Sequence, residues 1–465
     1  MNKWMQKEEW DMLRLGIDVG KQRVDCIVMD EKIRMFYVST RSVIKHPLSG
    51  MKEILEEMKQ QGIRLSDIKQ VIISASSEYE EGLRESEAVH VCAIRIGSSQ
   101  NSLPPFYEVT DIVRETVQLT CVELSGGHYV DGSPIQDLMM NEWNEKMDRA
   151  ALPEHATFAV TSAFSPVNPE HEQTVAQWIQ KKFGEGRAIT LSYEFGSIGL
   201  MERENAAILN AALSSVIPSL FQNVKQVLRQ YDIHAGIFLS QNDGFLMTYE
   251  RAISYPIRTL HSRIANSLRG ASLLAGREDC IVVIVENKRL YIGMVEEGIP
   301  KLRWSKRDIA GMYMHVHIPE VVMIDNIIHG ASDEVLERVY QATQRFQPPY
   351  EPLPIVFVGN ECSEIAGRFH EPWAEVIQPE YFSYASAIGA CMAPVGGWIE
   401  RMYWLSEGTG KTQVIEKAAA EAIKEAILAG AEERSIALQS VKVSPLAYVP
   451  NQALRIQVRA FGNFA

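Results

Sequence analysis

Leu13-Arg14-Leu15-Gly16-Ile17-Asp18-Val19-Gly20-Lys21-Gln22-Arg23-Val24-Asp25-Cys26-Ile27-Val28-Met29-Asp30 reads as an apolar strand, a tight turn, a second strand and an acidic turn. Cys280 through Glu297 repeats that plan. Asp18 is followed twelve positions later by Asp30, as Ile284 is by Glu296, and third strands are expected at Ile33 to Val38 and Ile299 to Trp304. Two similar lobes are implied, each built on a strand hairpin. The turn of such a hairpin can present backbone N–H groups to phosphates while a neighbouring aspartate holds a metal or polarises water. Only the first turn keeps the residues for this, Asp18, Gly20 and Asp25. The second has Glu286, Asn287, Lys288 and Arg289.

The composition sets limits. A chain of 465 residues with 46% apolar and 23% charged residues has the length for two or three domains and the balance of an ordinary soluble protein. A net charge of −13 without clustered Lys and Arg argues against nucleic acid as a partner. The six cysteines never form a C-x-x-C pair, so neither a disulfide framework nor a zinc site is signalled. Met1 to Asp11 does not read as a signal peptide, no membrane segment is expected, and a cytoplasmic location fits.

Along the chain, strand and helix patterns alternate, the mark of α/β layering. Helices are expected at Ser49 to Gln61, His171 to Phe183, Ser262 to Leu274, Ser332 to Phe346 and Lys411 to Ala429. Glu204 to Leu228 reads as a long helix broken around Pro218. Two strands, Ile436 to Val443 and Leu454 to Phe461, close the chain. The expected division is a first lobe over 1–196, a second over 197–400 and a small C-terminal extension of helix and strands over 401–465.

Several ordered stretches resemble the hydantoinase/oxoprolinase family: Phe164-Ser165-Pro166-Val167-Asn168-Pro169-Glu170-His171-Glu172, Ile198 through Asn210, Phe238-Leu239-Ser240-Gln241-Asn242-Asp243-Gly244, Ala385 through Ala390, and Pro445 through Pro450. The resemblance covers nearly the whole chain. It implies a two-lobed actin-like (ribonuclease-H-like) ATPase fold of the sugar-kinase and Hsp70 type. The activity it implies is ATP-dependent hydrolysis of cyclic amides, or a related ATP-dependent carboxylation, with ATP and a divalent metal as cofactors.

The family's phosphate loops read Asp-x-Gly-Gly-Thr-x-x-Asp. In the first, Asp18, Gly20 and Asp25 survive while Lys21 and Gln22 replace Gly and Thr. In the second, Ile284 to Tyr291, every diagnostic position is replaced, and Glu286 would repel phosphate. Ser74 to Glu80 replaces a hydroxyl-rich loop, Arg263 and Ile264 replace the small residues of a Ser-Gly-Pro loop, and Val358-Gly359-Asn360 stands at a glycine-rich adenosine turn.

Two functional readings therefore stay open. One is a member with weak or lost ATP and metal binding, acting as a structural or regulatory subunit paired in an oligomer with an intact paralogue or neighbouring subunit. The other is an active cyclic-amide hydrolase with a rewired loop. In that case Asp18, Asp25 and His128 are the catalytic candidates, with Asp18 as the metal ligand. Gly20, Lys21 and Gly359 would contact nucleotide, and Asn168 and Asn242 would line the substrate cleft. Binding of a small metabolite without turnover is a third possibility.

Other features have plainer explanations. Glu202-Arg203-Glu204-Asn205 reads as a salt-bridge network at a helix start. His315 and His317, with Asp325, would make a metal site only if all three converged. Gly408-Thr409-Gly410-Lys411-Thr412 fails as a phosphate loop because Leu405 stands where its first glycine should be.

Overall fold

The computed structural model describes residues 12–20, 23–42, 47–75, 89–97, 103–105, 111–196, 198–305, 314, 316–325, 331–405, 410–446 and 453–465. The opening stretch forms β1 (Leu13–Val19) and β2 (Arg23–Met29), an antiparallel pair that sets Asp18 opposite Asp25, with β3 (Met35–Ser42) beside β2. β1 is buried along its whole length, including the charged Arg14 and Asp18. The helix Pro47–Gln60 packs Met51, Ile54, Leu55 and Met58 into the core. The chain returns in β4 (Ile68–Ala75), parallel to β1.

A second sheet follows, made of β5 (Val89–Ile96), β6 (Val117–Leu124), β7 (Thr157–Ser162) and β8 (Ile189–Leu191) in the order β6-β5-β7-β8, all parallel. The chain steps outward from β5 to β6, then crosses back past β5 to β7. The connections therefore diverge between β5 and β7, the kind of place where open parallel sheets form crevices at their carboxyl ends. The helix Leu200–Gln230 packs against β5, β7 and β8. It runs through Pro218 without ending, contrary to the expected break, since one missing N–H removes only one bond of a long ladder. By length and composition alone it would suit a membrane crossing, but 62% of that stretch is buried inside the protein.

The next strands, β9 (Gly236–Ser240) and β10 (Leu246–Thr248), go back to the first sheet, β9 lying parallel to β4. The second lobe then repeats the first. β11 (Cys280–Glu286) and β12 (Arg289–Glu296) form a hairpin whose two turn residues, Asn287 and Lys288, both have positive φ, as a tight two-residue hairpin turn requires. The expected third strand splits. β13 (Ile299–Pro300) stays on β12, with Lys301 N donating to Met294 O at 2.9 Å, but β14 (Leu302–Ser305) leaves to pair with β15 (Val316–Pro319). β16 (Val321–Ile324) pairs with β12 instead, and β17 (Ile355–Val358) lies parallel to β11 as β4 does to β1, with β18 (Val376–Ile377) beyond.

The last strands, β19 (Val395–Trp404), β20 (Ala437–Pro445) and β21 (Ala453–Gly462), complete the first sheet, whose order is β20-β21-β19-β10-β9-β4-β1-β2-β3. This one sheet thus draws strands from all three stretches that the sequence divides at 197 and 401. Between the lobes, the helices Ser262–Ala275 and Ala385–Cys391 cross at two glycines. A Cβ on Gly270 would run into the carbonyl of Ala385, and one on Gly389 into that of Asn266. The second helix lies against β1, where a Cβ on Gly16 would stand 2.6 Å from Cys391 Sγ. The result is the two-lobed α/β actin-like fold.

Candidate functional site: the interlobe carboxylate cluster

The β1–β2 hairpin and the β11–β12 hairpin point their turns at one another, and a single guanidinium lies between them. Arg263, in the first turn of Ser262–Ala275, brings Nε to 3.0 Å from Asp18 Oδ2 and Nη2 to 3.2 Å from Glu286 Oε1. The Asp18 contact is an ion pair without hydrogen-bond alignment, and neither Asp18 oxygen has a hydrogen-bond partner. Gly20 closes the first turn with its N–H donated to Arg23 O at 2.9 Å. A Cβ there would stand 2.9 Å from Arg263 Nη1. The guanidinium of Arg263 thus packs directly against the backbone of this turn, where only a glycine leaves it room.

Asp25 is held by Arg23 at 2.5 Å and by the Thr40 hydroxyl, which donates at 2.7 Å. Arg23 also donates to Ser383 O of the other lobe at 2.7 Å. Three carboxylates therefore share two guanidiniums. Burial pushes Asp25 up to about 6, against the pull of Arg23, and the nearby Asp18 charge adds to the rise. Burial also raises Glu286, with Arg263 opposing. For Arg263, burial alone would lower the pKa, but the charges of Asp18, Glu286 and Asp25 outweigh it and raise it.

Of the residues singled out in the sequence, Asp18, Gly20 and Asp25 come together here. Gly359 follows β17 with φ of 99°, in a position where a Cβ would collide with the Val285 carbonyl, next to Glu286. Lys21 lies outside the described residues, as do Ser76 to Glu80, His315 and Gly408. Asn168 is a loop brace: its Nδ2 donates to Gly132 O at 3.1 Å and its Oδ1 accepts from Glu170 N at 3.1 Å. Asn242 follows β9, its backbone N donating to Arg258 O, with a buried Nδ2 that has no partner.

His128 lies in the segment that follows β6, bridged to Pro134 and buried with its ring 4.2 Å from that of His171. His171 Nδ1 accepts from Gly127 N at 2.9 Å, which requires that nitrogen to be unprotonated. Burial lowers the pKa of both rings, and His171 lowers His128 further. The pair stands just beyond the carboxyl ends of β5 and β7, where Gly97 and Gly127 pack Cα to backbone. His171 was overlooked in the sequence because it sits in a matched stretch as one more helix-start residue. Arg263 and Glu286 were visible as replacements of opposite charge in two loops, and that pairing was the available signal.

The helix-start network is present. Arg95 pairs with Glu204, and Arg203 lies 3.7 Å from Glu172, with Nη1 donating to the hydroxyls of Ser165 and Ser192 at 2.6 and 2.5 Å. Elsewhere, His317 stacks on Trp398 and Asp325 pairs with Arg289. Among the described residues no group of three potential ligands could hold a metal. The described cysteines are all free.

Residues 14–183 match the family model described as the hydantoinase/oxoprolinase N-terminal region. No curated protein matches the chain by sequence. Among solved structures, the ATP-dependent caprolactamase from Pseudomonas jessenii superposes with a TM-score of 0.75 at 13% identity, over 97% of this chain and 88% of that one. A nucleotide-free acetone carboxylase, from work on ATP-dependent acetone carboxylation, gives 0.66 at 11% identity, over 98% and 88%. At such identities these likenesses speak for the fold alone. The family match rests on residues 14–183, which are similar to the N-terminal region of the hydantoinase/oxoprolinase family, and the two solved structures carry that likeness over the fold of the whole chain.

Proposed function

We propose that this chain is a family member whose nucleotide site has become an interlobe ion-pair clamp, and that it serves as a non-catalytic or weakly active structural or regulatory subunit in the cytoplasm, assembled with an intact relative. The observation that carries this reading is Arg263, set between Asp18 and Glu286. A divalent cation and the phosphates it would carry do not fit that place while the guanidinium occupies it, and Glu286 adds negative charge where a phosphate tail would lie. Calorimetric titration with MgATP tests it: binding is expected to be absent or weaker than about 1 mM, and micromolar affinity would overturn it.

The second reading, an ATP-dependent hydrolase of cyclic amides, is favoured by one observation. Asp18 and Asp25 remain side by side on the hairpin, and both oxygens of Asp18 lack a hydrogen bond. It requires Arg263 to withdraw. Turnover of hydantoin or 5-oxoproline, lost in Asp18→Asn, would establish it.

A further inference from the structure

Away from the cluster, a groove of about 680 Å³ is lined by the β19–β21 end of the first sheet and by the segment Glu296–Arg303 of the second lobe. Trp398, Arg459 and Ser440 form one cross-strand row along it, and Glu400, Gln457 and Lys442 form the next. Arg459 makes no side-chain hydrogen bond or ion pair with any described residue. The charge that answers it is that of buried Asp243, which also answers Arg269. One Asp243 oxygen accepts from Phe245 N at 3.0 Å and the other has no partner. Asp243 also lies near Arg258, which pairs with Glu425 at 3.8 Å, so its one carboxylate answers both Arg459 and Arg269 and leaves one positive charge in excess. Burial lowers the pKa of both arginines, against the pull of Asp243.

The same groove holds unmet acceptors. Gln439 and Gln457 each bury a side-chain oxygen without a partner, the amide nitrogen of Gln457 donating to Glu400 at 2.9 Å. Three acids line the opposite lip: Glu296 pairs with Lys301 at 3.0 Å, Asp279 accepts from Glu297 N at 2.8 Å, and the Glu297 side chain is exposed. They would still repel a dianion.

We propose that this groove binds a small carboxylate that also carries N–H or O–H donors, with the carboxylate on Arg459 and the donors on the Gln439 and Gln457 oxygens. A planar carboxylate matches the guanidinium fork, a single negative charge matches the single excess positive one, and the volume is that of an ordinary small-molecule site. The nearest acids disfavour a phosphate.

Titration calorimetry on the full chain with succinamate, acetate, acetamide and inorganic phosphate tests this. Succinamate, which has both features, should bind about tenfold more tightly than acetate or acetamide. Arg459→Gln should weaken it about tenfold or more. Ser440→Asp, an exposed change in the same row that leaves the buried charges alone, should weaken it as much without altering the melting temperature. No saturable succinamate binding, equal binding by wild type and Ser440→Asp, or tighter binding of phosphate would each overturn the proposal.

Discussion

Arg263 and Asp18 meet at 3.0 Å between two hairpins that come from opposite lobes, and the same guanidinium reaches Glu286 at 3.2 Å. Removing one member of a buried charge cluster leaves the others desolvated and uncompensated, which usually costs about 3–5 kcal/mol. Arg263→Ala is expected to destabilise by that order, measured by urea unfolding. It should also make melting temperature respond to millimolar magnesium, which wild type should ignore, because Asp18 and Glu286 then lack a cation. A neutral effect of Arg263→Ala would show that the pair does not hold the lobes.

The glycine crossing should be as sensitive. Gly270→Ala and Gly389→Ala each place a methyl group into backbone carbonyl atoms of the facing helix, which cannot swing aside as a long side chain can. Each is expected to lower stability by about 3 kcal/mol or more, or to prevent folding. Gly367→Ala, in open space, is the control and should be close to neutral.

Asp25 gives a signed pH dependence. Its pKa rises from an ordinary 3.8 to about 6 on folding, so the folded protein holds this proton more tightly than the unfolded chain. Its contribution is therefore fully present below about pH 4 and is lost as pH climbs through about 6. Between pH 4 and 7, wild type should lose stability relative to Asp25→Asn, with the difference levelling off above about 6. Chemical denaturation across that range measures it, and a pH-independent difference would contradict the ionisation.

The imidazole pair has the opposite sign. Both His128 and His171 are held below their ordinary range, so the unfolded chain takes up protons more readily. Their contribution is complete above about pH 6.5 and falls away as pH drops through the folded values. His171→Gln keeps an acceptor for Gly127 N–H while removing one titrating ring. It should flatten the loss of stability between pH 7 and 5, and an unchanged slope would rule the pair out as its source.

Much of the architecture could be read from the chain because it was written locally. The near-continuous apolar runs of β1 and β11, each followed by a turn and a second strand, gave the repeated hairpins. The period of Met51, Ile54, Leu55 and Met58 gave a helix. What escaped depended on partners far away. β19 opens with Val395 and then two glycines, so its start does not announce a strand until β21 and β10 flank it. At the site, Asp18, Gly20 and Asp25 were legible as a hairpin turn, and Arg263 and Glu286 each looked like a local loss. Only their meeting in space turns two substitutions into one ion pair.

The route of the first sheet also governs how this protein comes into being. Its strands β19, β20 and β21 follow the second lobe in the chain, yet they extend the sheet that β1 to β4 begin. The opening strands must therefore wait, with the edge beyond β9 and β10 uncovered, while the second lobe emerges and closes on itself. The first sheet can be completed only after the second lobe has been made, and a ribosome stalled before β19 would release a chain exposing a sticky strand margin.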